Sequence, residues 1–77
     1  MTMALRPRPC ILDDFVYLGF IYGEQRWSSD GGKRLYTWDR QHGEVEVFNP
    51  RGKHLGVMHA VSGDWIKDGV PGRTIDV

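Results

Sequence analysis

The stretch KRLYTWDRQHGEVEVF, residues 33–48, decides the fold. It contains two runs with apolar residues at every second position, Tyr36 and Trp38 before a break and Val45 and Val47 after it. Period two is the repeat of a β-strand that buries one face. The break, Arg40-Gln41, reads as a hairpin turn. A two-residue turn puts Asp39 opposite His42, Thr37 opposite Glu44 and Leu35 opposite Glu46. Directly paired residues point to the same face, so Asp39, His42, Glu44 and Glu46 share a polar face while Tyr36, Trp38, Val45 and Val47 face a core. Arg-Gln is not the Asn-Gly pair that selects a two-residue turn, and a longer turn with a shifted register is the alternative.

Working outward, the same rhythm continues. Strands are expected within Asp13–Tyr22, Lys33–Asp39, Gly43–Phe48, Lys53–His59, Trp65–Lys67 and Thr74–Val77. Ser28-Ser29-Asp30-Gly31-Gly32, Asn49-Pro50-Arg51-Gly52, Ser62-Gly63-Asp64 and Asp68–Gly72 punctuate them with residues that stabilise turns or permit positive φ. The spacing predicts a mainly β chain: a small, highly twisted antiparallel sheet of about five to six short strands, near closure into a barrel. Only Ile11–Asp14 suggests a helical turn. Arg6-Pro7-Arg8-Pro9 cannot enter a central strand, because proline lacks the ladder's donor. Residues 1–12 are therefore expected to form an arm and residues 13–77 a single domain.

Composition narrows the function. A chain of 77 residues supports one modest core. Ten Lys and Arg balance ten Asp and Glu, so no net charge draws the chain to nucleic acid or to a membrane surface, and any polyanion must meet a local patch. Cys10 is the single cysteine, which rules out an internal disulfide and a thiolate metal cluster and fits a reducing cytoplasm. No apolar run is long enough to span a bilayer, and MTMALRPRPC does not look like a secretory leader. A cytoplasmic protein with no membrane partner is expected.

On residues alone, the polar face of the hairpin has three readings. It is the solvated side of an amphipathic strand, an acid–base site in which carboxylates tune and orient an imidazole, or a metal site drawing on His42, His54 and His59 with Asp39 or Glu46.

Three motifs then point to a family. Trp38-Asp39-Arg40-Gln41-His42-Gly43-Glu44-Val45-Glu46, Gly52-Lys53-His54-Leu55-Gly56 and Pro71-Gly72-Arg73 together resemble the cytotoxic domain of the ribosome-cleaving E-type colicins and cloacin. The resemblance implies an endoribonuclease that cuts 16S ribosomal RNA in the decoding centre without metal or cofactor, leaving a 2′,3′-cyclic phosphate. It implies Asp39, His42, Glu46 and Arg73 as the catalytic set, with Glu46 as base, His42 as acid, Asp39 orienting the imidazole and Arg73 stabilising transition-state charge. Glu44, Tyr36, Lys53 and His54 are candidate RNA contacts, with Lys53 and His54 on an exposed strand. The implied partners are the ribosome and a cognate antitoxin or immunity protein. Those domains are basic, however, with a lysine-rich tail, whereas this chain is neutral and ends Thr74-Ile75-Asp76-Val77. A non-catalytic β module using the same face is the other reading.

Overall fold

A computed structural model describes residues 5–77. Six strands, β1 (Val16–Ile21), β2 (Glu24–Ser29), β3 (Arg34–Asp39), β4 (Glu44–Phe48), β5 (His54–Met58) and β6 (Trp65–Asp68), form one antiparallel sheet in chain order. The fold is the expected mainly β meander. It does not close: β1 and β6 are both edges, so the sheet stays open. Its curl nonetheless brings Arg34 of β3 to 5.5 Å from the ring of Trp65 on β6.

Two strand expectations change. β2 was not foreseen, since Glu24, Gln25 and Arg26 disguise it and its last two residues read as a loop; its ladders with β1 and β3 supply the strand character. The strand expected over Thr74–Val77 reduces to a single bridge between Thr74 and Lys53.

The hairpin that decides the fold has its pairing displaced. Asp39 faces Glu44, Thr37 faces Glu46 and Leu35 faces Phe48. Arg40–Gly43 thus form the longer turn. Gly43 adopts φ 69° there, and its amide donates to the Asp39 carbonyl at 2.8 Å. The displacement is even, so every strand residue keeps its face. Only His42 and Gly43 change place, from the strand to the loop.

One face of the sheet carries the core. Trp27, Tyr36, Trp38, Val45, Val47 and Met58 pack with Cys10, Leu12 and Ala60, and Phe15 stacks on Tyr36 with ring centroids 4.3 Å apart. Cys10 and Leu12 come from the stretch expected as an arm, of which residues 1–4 lie outside the described residues. The expected helical turn, Ile11–Asp14, forms as a 3-10 turn and is pinned to the β5–β6 connection by the Ile11 amide donating to the Ala60 carbonyl at 2.8 Å. Asp13 accepts the Cys10 amide at 2.8 Å and Arg6 at 2.9 Å, and those donors hold its carboxyl below the usual value.

The opposite face carries the polar residues, and two devices shape it. In β5, Val57 pairs with Glu46 and Gly56 with Val47, but His54 pairs with Phe48, leaving Leu55 as the extra residue of a bulge. A bulge reverses the alternation beyond it. Leu55 consequently packs against the core while His54 and Val57 look into the groove on the polar side. After β6 the chain returns alongside β5. The His54 amide donates to the Arg73 carbonyl at 3.0 Å and the Ile75 amide to the Gly52 carbonyl at 2.9 Å, which delivers Arg73 to the polar face.

Candidate active site

Glu46 is the middle residue of β4, on the polar face, with its side chain 8% exposed. A carboxylate so buried needs donors, and it has two. Arg73 Nη1 lies 2.8 Å from Oε1 and His54 Nε2 lies 2.9 Å from Oε2. The His54 tautomer follows from its other nitrogen: Nδ1 is 3.0 Å from the Val70 amide, which can only donate, so Nδ1 accepts and the proton sits on Nε2 and points at Glu46. Phe48 forms an apolar floor, 5.2 Å from the His54 ring and 5.9 Å from the Arg73 guanidinium. Glu46 is thereby fixed in one orientation.

At the end of the hairpin, Asp39 divides its two oxygens. Oδ1 accepts the amides of Gln41 at 3.0 Å and His42 at 3.2 Å, while Oδ2 takes the His42 ring Nδ1 at 2.7 Å. Partial burial works against ionisation of Asp39, but the ring and amide donors outweigh it and hold its carboxyl below the usual value. With Nδ1 committed, the His42 Nε2 has no hydrogen-bond partner among the described residues, on a side chain that is 56% exposed. Such a nitrogen can exchange a proton with a ligand.

These elements border one groove of about 560 Å³, whose walls include Asp39, His42, Glu44, Glu46, His54 and Arg73. The four residues expected as catalytic thus lie around a single space. Arg73, which could have paired with a surface acid such as Asp76, pairs with Glu46 instead. Glu44 also borders the groove and is bridged to Lys67 of β6 at 3.0 Å.

The expected RNA contacts divide. Tyr36 is corrected: it is 2% exposed on the core face, and its hydroxyl is 2.7 Å from Ser29 Oγ, so its ring is not offered to a ligand. His54 borders the groove but is buried rather than exposed. Strict alternation along β5 hides this, because the bulge that turns His54 inward leaves no mark beyond Gly56. Lys53 is exposed and outside the groove. Of the metal alternatives, Asp39, His42 and Glu44 place one possible ligand atom each within 4.8 Å of the others, whereas His54 is engaged by Glu46 and Val70. His59 accepts the amides of Val61 and Ser62 at the β5–β6 turn.

Residues 22–76 match the family model described as Cytotoxic. Colicin E3 of Escherichia coli is 40% identical over 52 residues, which are 66% of this chain and 9% of colicin E3. Colicin-E6 is 41% identical and cloacin 39% identical, each over 51 residues that make up 65% of this chain and 9% of the relative, both from Escherichia coli. The chain therefore spans about a tenth of the length of these curated relatives. The matched region takes in the strands from β2 to β6 and the return segment that carries Arg73, so the groove and all its charged walls lie within it, and the chain belongs to the Cytotoxic family.

Proposed function

We propose that the chain is a ribonuclease toxin that cleaves 16S ribosomal RNA of the small subunit, in the cytoplasm where ribosomes are found. RNA carries its own nucleophile in the ribose 2′-hydroxyl, so the chemistry calls for a base, an acid and a cation but no metal and no covalent intermediate. Glu46 removes the 2′-hydroxyl proton as that oxygen attacks phosphorus. His42 Nε2, protonated, delivers a proton to the departing 5′-oxygen, giving a 2′,3′-cyclic phosphate and a free 5′-hydroxyl. Asp39 holds the imidazole and stabilises its charged form. Arg73 reaches both Glu46 and the groove, and its guanidinium stabilises negative charge accumulating on the phosphoryl oxygens. His54 positions the base. A neighbouring antitoxin or immunity protein that masks the groove completes the proposal by analogy with the relatives.

The observation that carries this reading is the Glu46 carboxylate clamped between His54 and Arg73 in the groove that also holds the Asp39–His42 pair. The test incubates purified ribosomes with the protein in EDTA and maps 16S breaks by primer extension. Cutting is expected to survive the chelator, and Glu46→Gln or His42→Ala to slow it by roughly 10²–10⁴-fold. Loss of cutting in EDTA would favour a metal centre at Asp39, His42 and Glu44. Intact RNA under all conditions would favour a module that binds through the same face without catalysis.

A further inference from the structure

A buried cation beside the groove has no salt-bridge partner among the described residues. Arg26 of β2 is on the cross-strand row of Glu46, since it pairs with Thr37 and Thr37 pairs with Glu46. Two strand spacings, about 10 Å, separate the two residues. Although Arg26 is only 5% exposed, the salt bridges among the described residues all involve other side chains, and its Nε has no hydrogen-bond partner. A buried donor left unpaired is costly, and a charged one more so. A ligand that presents an acceptor to the guanidinium offsets part of this cost.

Arg26 lines a second cavity, of about 220 Å³, together with Tyr22, Glu24, Thr74 and Asp76. Glu24 borders both this cavity and the groove, so the two are neighbours. Tyr22 is the unexpected wall. The β1–β2 hairpin turns on Tyr22 and Gly23 with φ 52° and 82°, a pattern that asparagine followed by glycine satisfies best. A tyrosine there is strained, and at 72% exposure it adds little to packing. It borders the Arg26 cavity instead.

The walls select the ligand. One guanidinium beside two carboxylates makes a poor anion site, because a phosphate would meet Glu24 and Asp76. A nucleobase carries no net charge, offers a flat face to an aromatic ring, and has both donors and acceptors on its edge. Guanine matches both kinds of wall: O6 and N7 accept from a guanidinium, and N1–H with the 2-amino group donates to a carboxylate. We propose that this cavity binds a guanine base of the RNA strand lying in the groove, with Tyr22 stacking on it, Arg26 donating to it and Glu24 or Asp76 accepting from it. The proposal rests on the groove being an RNA site.

The test titrates guanosine monophosphate into ¹⁵N-labelled protein and follows the Arg26 Nε–H cross-peak, with adenosine, cytidine and uridine monophosphates run in parallel. Guanosine monophosphate is expected to shift that peak saturably and the other three to bind roughly tenfold more weakly or less. Tyr22→Asn keeps a turn-compatible residue and is expected to weaken guanosine monophosphate binding roughly tenfold, the loss of one stacked ring. Equal response to all four nucleotides, no shift at Arg26, or full binding by Tyr22→Asn would overturn the proposal. The titration itself reads no cleavage and is scored beside the ribosome assay. Guanine binding by a protein that leaves ribosomes intact would sustain this inference and sink the catalytic one, and cleavage without guanine preference would do the reverse.

Discussion

Asp39 closes the β3–β4 loop with one oxygen and holds the His42 ring with the other. Replacing it with asparagine separates those tasks, because the amide oxygen can still accept from the loop while the amide nitrogen no longer accepts from the ring. The pH dependence has a definite sign. A carboxyl whose folded value is depressed contributes stability that is present above its unfolded value, near pH 4, and is lost as pH falls through the folded value. The native protein is therefore expected to be more stable than Asp39→Asn in urea at pH 7, with the gap closing progressively below about pH 4. A gap of constant size through the acid range would show that the hydrogen-bonded carboxylate contributes nothing through its charge. At this scale the sequence was legible where pairing follows from period two: it put Asp39, Glu44 and Glu46 on one polar face beside His42, whereas Arg73 entered only through the family resemblance. It was not legible for Tyr36, because a tyrosine on a hairpin serves a core or a ligand equally well, and only burial decides. Nor was Arg26 legible, since nothing local distinguishes a buried arginine from a solvated one.

The β5 bulge shows how an element can aim a side chain. Gly56 sits at φ 152°, and a Cβ placed there would lie 2.6 Å from the Lys67 carbonyl oxygen and 2.9 Å from the Trp65 ring. The carbonyl is backbone and cannot swing aside. Gly56→Ala is expected to cost about 2–3 kcal/mol in chemical denaturation, combining strain with a disturbed β5–β6 ladder. It is also expected to lower cleavage further than the stability loss explains, by turning His54 away from Glu46. Native stability in this variant would refute the close approach. The even displacement of the β3–β4 pairing shows why a face assignment can be right when a turn length is not: parity, not register, sorts side chains to faces. β2 escaped notice for a different reason. Its only large apolar residue is Trp27, so the strand has no period to read and exists because β1 and β3 flank it.

Across the whole molecule, an open sheet is covered on its apolar face by the segment around Cys10 and Leu12, and on its polar face by the segment after β6. The mainly β class could be read from period two. The N-terminal cover could not, since two buried residues near prolines carry no repeat. Neutral net charge also looks different in three dimensions, because the cations that matter are placed singly, Arg73 over Glu46 and Arg26 beside the groove.

The return segment, residues 69–77, has a consequence for how activity fails. It is attached through a bridge at Thr74, a few backbone hydrogen bonds and the Arg73–Glu46 pair, while the strands beneath it are joined by full ladders. Partial opening should therefore peel this segment away long before the sheet melts, taking the cation with it and releasing the Val70 amide from His54. Native-state amide exchange is the measure: Ile75 and Val70 are expected to exchange much faster than Tyr36 or Val45, with equal protection contradicting the idea. Inactivation would then precede unfolding, leaving a folded, inert sheet as the first product of mild denaturation.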